Sequence, residues 1–263
     1  MITEEKRITY KYGDTFTLKP IADVHLGAVA CDEKAFKDYL ADSDDKTLFL
    51  GIGDLYNAIV VTDPRYQKSS DIGTRDDIID YQVDKGVKLL EPYTDRILGL
   101  GRGNHEENII TRHGSDMIKR TCRRLGVKNL GYSGFFTLRF RMKEGAGRTV
   151  VIFYHHGFGG GSRTQGADLT KYSKHAAHID ADLFLYGHVH RRQDDKIERL
   201  GMRGKKLIAK SKTVVICGTF LKTYLSGSDA TYSERAGYPP TSIGGVNIDL
   251  TPDTNGWVKI ETR

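Results

Sequence analysis

Apolar residues along this chain follow two rhythms. Short unbroken runs at 47–52, 96–100, 150–154 and 182–186 read as buried strands, and each stops at glycine or at a polar cluster. Residues 7–12 and 15–20 alternate around Gly13-Asp14, which predicts a hairpin whose second strand runs on into Ile21-Ala22-Asp23-Val24-His25. Residues 134–142 and 148–154 read as an antiparallel pair, and 214–217, 245–250 and 257–260 as closing strands. Helical spacing marks four other segments. Asp32 caps a helix carrying Phe36, Tyr39 and Leu40, and Thr74, with Asp77 three residues on, caps one carrying Ile79, Val83, Val87 and Leu90. Ser115 opens a helix with Ile118, Thr121, Cys122 and Leu125 inward, and Leu169, Tyr172 and Ala176 share a face of another. The stretches 62–73, 159–166 and 224–241 read as loops, the first long enough for a lid. Strands that first alternate with helices and then turn antiparallel predict two packed sheets with helices outside, in a single domain over residues 1–263.

Composition narrows the class. With 38% hydrophobic and 28% charged residues the chain can bury a core. No apolar run reaches the ~18 residues of a membrane span, and the N-terminus lacks an apolar signal core. The expectation is a cytoplasmic protein without a membrane partner. Cys31, Cys122 and Cys217 form no close pair, so they read as inert thiols rather than a disulfide framework. The net charge of +6 serves solubility or an anionic partner such as nucleic acid.

The strand ends carry the chemistry. In order they hold Asp23 and His25, Asp54, Asn104 and His105, His155 and His156, then His188 and His190. Alternate residues of an extended chain face one way, so His188 and His190 are expected to converge just past their strand. Oxygen and imidazole donors without cysteine suit Mn, Fe, Zn, Ni or Mg. The set is large enough for two ions if one carboxylate bridges them. Two divalent ions against Asp23 and Asp54 leave the cavity net positive, which attracts a phosphate and stabilises its transition state. Ions ~3.5–4 Å apart clamp an in-line displacement, and bound water with its pKa lowered toward ~7 replaces a Ser or Cys nucleophile.

Taken together, D-x-H, GD, GNH-E, H and GH-x-H, in that order from Asp23 to His190, resemble the calcineurin-like metallophosphoesterases. The resemblance implies a four-layer α/β/β/α sandwich, two mixed sheets flanked by helices, with a two-metal centre at one sheet edge. It places Asp23, His25 and His190 on one metal. Asn104, His188 and one histidine of the 155–156 doublet fall on the other, and Asp54 bridges. His155 is preferred as the ligand because it comes directly off the apolar strand, which leaves His156 near the substrate. His105 matches the family's non-ligand catalytic histidine, and Asp54 and Asn104 complete the catalytic set. The implied cofactors are two divalent ions, manganese first, with Fe, Zn, Ni or Mg as alternatives.

Around these motifs, Arg102 inside a motif loop and Arg191 directly after His190 are expected to meet substrate oxygens. The glycines at 99, 101 and 103 resemble a dinucleotide turn but lack its following helix and acid, so they read as room for backbone near the metals. Lys119, Arg120, Arg123 and Arg124 form a basic helix face open to solvent or to nucleic acid. The expected activity is hydrolysis of a phosphate ester by attack of a metal-bound hydroxide. A phosphodiester, in a nucleotide or nucleic acid, is the first substrate class. The alternatives are a phosphomonoesterase or protein phosphatase of the same fold, or a non-catalytic nucleic-acid-binding scaffold.

Overall fold

In a computed structural model of the chain, residues 1–63, 65–66, 75–145, 147–227, 230–252 and 257–263 are described. The expected cap at Thr74 and most of the expected lid lie outside them.

In chain order the elements are β1 (Ile2–Thr9), β2 (Phe16–Ala22), α1 (Glu33–Ala41), β3 (Thr47–Gly53), α2 (Ile78–Leu90), β4 (Ile97–Gly101), α3 (Asn104–His113), α4 (Met117–Leu125), β5 (Asn129–Gly131), β6 (Ser133–Arg141), β7 (Arg148–His155), α5 (Ala167–Ala176), β8 (Leu183–Tyr186), β9 (Arg192–Arg203), β10 (Lys206–Cys217), α6 (Tyr232–Arg235), β11 (Ile248–Pro252) and β12 (Val258–Thr262). They build two six-stranded mixed sheets, ordered β1-β6-β7-β8-β10-β9 and β12-β11-β2-β3-β4-β5.

Three apolar clusters define four layers. Leu18, Leu50, Phe136, Leu138, Ile152 and Leu185 fill the space between the sheets. Phe36, Val83, Val87 and Ile118 from α1, α2 and α4 cover the outside of the second sheet, and Tyr172 and Ala176 of α5 cover the first. This is the α/β/β/α sandwich expected. The runs that the sequence marked as unbroken are central strands, apolar on both faces, and β3 is buried at every position. No helix among the described residues is long and apolar enough to cross a membrane.

Two local expectations are corrected. The 7–12/15–20 hairpin does not form. Gly13 does turn the chain, with Asp14 N–H on the Lys11 carbonyl, but β2 lies between β3 and β11, so both its edges are taken. The alternating β1 pairs parallel with β6 in the other sheet. A helix, α3, starts directly after Gly103, where a bare loop was expected. The charged run through 192–212 forms β9 and β10, a long antiparallel hairpin with only a short stretch of β10 on β8. On the helix face, Arg120 and Arg124 of α4 pair with Asp80 and Asp84 of α2, so half of the expected basic patch is neutralised within the fold.

Candidate metal centre

The parallel strands β2, β3 and β4 and the neighbouring β7 and β8 all end at the same edge of the sandwich, and the polar residues that follow them meet there. The backbone does this by an unexpected route. Asp23, His25, Asp54, His188 and His190 all have left-handed φ, between 48° and 73°. For non-glycine residues each such conformation costs of order 1–3 kcal/mol, and such residues gather at functional sites. His188 and His190 therefore do not converge as alternate residues of an extended strand. Each turns back toward a different neighbour.

Hydrogen bonds hold these turns in place. Asp23 N–H donates to the Gly53 carbonyl at 3.1 Å, and His25 N–H donates to the Asp54 carbonyl at 3.0 Å. His188 N–H donates to Asp23 Oδ2 at 2.9 Å. His105 N–H, at the start of α3, donates to Asp54 Oδ1 at 2.9 Å. Glycines make the closeness sterically feasible: a Cβ on Gly103 would overlap Asp54 Oδ1, and one on Gly187 would lie 2.6 Å from Asp23 Oδ2.

The side chains form three adjoining donor groups. Asp23, His25 and His190 make one, Asp54, His156 and His188 another, and Asp54 joins His25 and His105 in a third. His190 Nε2 lies 3.3 Å from Asp23 Oδ1. His156 Nε2 is 3.2 Å from Asp54 Oδ2 and 3.0 Å from Asn104 Oδ1, and His188 Nδ1 is 2.8 Å from the same Asn104 oxygen. Asp54 thus sits between the two halves, where a bridging carboxylate was expected.

The doublet is resolved against expectation. His156 is fully buried and joins the donors, whereas His155, the last residue of β7, sends its ring to the opposite side of the sheet. It packs there on Tyr132, Phe158 and His175. The cause is the period of the strand: successive residues face opposite ways, and the residue directly off the apolar run took the outer face.

The two arginines expected to meet substrate oxygens are both paired within the fold. Arg102 is turned away from the cleft and pairs with Glu107 at 2.6 Å and Asp116 at 3.6 Å. Arg191 lines the cleft, but its Nε is 3.4 Å from buried Asp168 and its Nη2 donates to the Ser162 carbonyl. Two residues without an expected role matter more. Glu106, fully buried, accepts the N–H groups of Gly103, Tyr56 and Asp54 at 2.8, 2.9 and 3.0 Å and so ties α3 to the end of β3. Its place after Asn-His in a glycine-led segment is the signature of a helix first-turn acid. Arg65 stands 2.9 Å from His105 Nε2, and nothing in the loop composition singled it out.

The donor set fits cations. Burial, with its imidazole neighbours, holds His25 well below the usual histidine range, and burial also lowers His105 and His188. These rings are neutral and carry lone pairs. Burial opposes protonation of His156 too, but Asp54 outweighs it and lifts that ring to about 9. His25 Nδ1 is buried without a hydrogen-bond partner, which marks a ring short of polar contacts. The groups open into a cleft of about 530 Å³, lined by His25, Asp54, Asn104 and His190 together with Gly159–Ser162 and residues from 221–241.

No protein-family model matches the chain, and no curated protein sequence does. Among solved structures it is similar to Vps29 from Entamoeba histolytica complexed with zinc, at 11% identity and a TM-score of 0.39 over 95% of this chain and 98% of that one. It is also similar to a predicted phosphoesterase from Streptococcus pneumoniae, at 12% identity and a TM-score of 0.32 over 95% and 99%. A metallophosphoesterase from Sphaerobacter thermophilus gives 13% identity and a TM-score of 0.39 over 95% and 88%.

Proposed function

We propose that this chain is a calcineurin-like metallophosphoesterase that hydrolyses a phosphodiester at a two-metal centre. The observation that carries the reading is Asp54 shared between two adjoining donor groups, one including His25 and the other His156 and His188. Asp23, His25 and His190 would hold one ion, Asn104, His156 and His188 the other, and Asp54 both. When bound, two such ions supply Lewis acidity and an activated water, with manganese the first choice for this oxygen and imidazole set.

The residues of the chain set the remainder. His105 lines the cleft, its Nδ1 on the Asn57 carbonyl and its Nε2 2.9 Å from Arg65 Nη1 and 4.0 Å from Asp54 Oδ2. That leaves Nε2 as the atom able to deliver a proton to, or take one from, an ester oxygen held in the cleft. Glu106 fixes the end of β3 through three N–H groups and so keeps the Asp54 carboxylate in place. A cleft of about 530 Å³ around the donors is larger than one phosphate group fills, which supports a diester over a monoester. A nucleotide or nucleic acid is the substrate class in keeping with the net positive chain.

The test is hydrolysis by manganese-loaded protein of bis-aryl and mono-aryl phosphates, cyclic nucleotides and single- and double-stranded DNA, with and without chelator. The expected result is turnover of the bis-aryl diester that chelation abolishes. Absence of bound metal at saturating supply, or turnover indifferent to chelator, overturns the reading.

A further inference from the structure

Arg65 is braced as a side chain with one assigned direction. Asp63, 4% exposed, accepts from Arg65 Nε at 3.0 Å, from Nη2 at 2.8 Å and from the Arg65 backbone N–H at 2.8 Å. Asn108 of α3 donates to the same carboxylate at 2.7 Å, so the brace is anchored to the helix that begins with Asn104 and His105. What remains is Nη1. It lies 2.9 Å from His105 Nε2, and the side chain borders the cleft beside His25, Asp54, Asn104 and His190. A guanidinium nitrogen of this kind carries two hydrogens. One meets the imidazole, and the second has no acceptor among the described residues.

We infer that Arg65 binds a non-bridging oxygen of the phosphoryl group held at the donors. This rests on the phosphoesterase reading above. Its physical basis is separate from the metal ligands. A free cation next to two divalent ions would be repelled, but Asp63 cancels the charge of Arg65 while leaving its N–H directed. The contact therefore adds a donor of fixed geometry without adding net positive charge to the centre. His105 offers Nη1 one ring nitrogen, whereas a phosphoryl oxygen is an anionic acceptor and the stronger partner. Arg102 and Arg191, the arginines expected to do this from their place in the motifs, are committed to Glu107 and Asp116, and to Asp168 and Ser162.

The test is calorimetric titration of inorganic phosphate into the manganese-loaded full chain, alongside bis-aryl phosphate turnover. Arg65→Ala is expected to keep its metal content, while its melting temperature falls because the buried Asp63 loses its guanidinium partner. Its phosphate dissociation constant should rise about 10- to 100-fold, as loss of a charge-assisted contact does. Arg65→Lys should fall between it and the parent, because the charge returns without the fork. Added methylguanidinium should partly restore phosphate binding to Arg65→Ala, which a merely structural defect would not allow. If the parent binds phosphate and Arg65→Ala binds it equally well, Arg65 is no contact and the phosphoesterase reading stands. If the loaded parent binds no manganese or no phosphate, both inferences fall together.

Discussion

His25 Nε2 lies 3.0 Å from His190 Nε2, although 165 residues separate them. Each sits on a left-handed turn just past a parallel strand, and the rings meet edge-on with centroids 4.9 Å apart. One nitrogen of the buried His25 faces another imidazole, and its Nδ1 faces no partner. Two ring nitrogens this close, with Asp23 Oδ1 3.3 Å from His190 Nε2, form a donor set on the Nε2 side of His25 that a cation would satisfy.

Asp54 joins His25 in one donor group and His156 and His188 in another, so Asp54→Ala should remove more metal than loss of any other single ligand. Elemental analysis of the variant after manganese loading should show both equivalents lost, and hydrolysis of a bis-aryl phosphate should drop below detection. Retention of one tightly held ion would mean that Asp54 serves only one site.

Metal should also stabilise the fold. The buried Asp23 and Asp54 carboxylates and the His25 and His156 rings are brought together at the cost of left-handed backbone, and a ligand that binds only the folded chain offsets that cost. At manganese a hundredfold above its dissociation constant the gain is about 2.7 kcal/mol, which for a chain of this size raises the melting temperature by roughly 5–10 °C. A chelator titration followed by calorimetry checks this. Identical melting with and without chelator would separate the donors from any cation.

The parts of this fold that the sequence displays are those set by burial period. The unbroken runs of β3 and β8 are buried on both faces, and the helical stripes of α2 and α4 each bury one predictable face. The donor residues were visible because they follow those runs. Three things were hidden. The partner of β1 depends on which strand edges are free, a property of the whole sheet. The hairpin of β9 and β10 carries charge where strands usually alternate, so its pairing outweighs its composition. The site's finer choices, His156 over His155 and Arg65 over Arg102, turn on which way single side chains face. A one-residue shift of strand phase reverses that.

Gly103 tests how tightly the centre is built. Its φ of −109° is open to any residue, so conformational freedom is not the reason for glycine there. The reason is space: an added methyl would overlap Asp54 Oδ1 and come within 2.6 Å of the His156 ring. Gly103→Ala should therefore push the carboxylate off its position and weaken metal binding at least tenfold. Global stability should fall by only about 1–2 kcal/mol. Metal affinity by calorimetry and unfolding by denaturant separate the two effects, and a variant with parental affinity would show that the centre tolerates displacement.

The doublet offers the sharpest comparison, because its two members are adjacent in sequence and face opposite sides of one sheet. His156→Ala removes a ring 3.2 Å from Asp54 and 3.0 Å from Asn104, so it should lose one metal equivalent and nearly all diester turnover. His155→Ala removes a ring packed among Tyr132, Phe158, His175 and Tyr186. It should keep both ions and most of its activity while losing about 1–2 kcal/mol of stability from the aromatic cluster. Measured side by side for bound metal and for unfolding, the two variants should fail in opposite columns. Loss of metal in His155→Ala together with full occupancy in His156→Ala would reverse the assignment, and would mean that β7 enters the centre one residue out of the phase described.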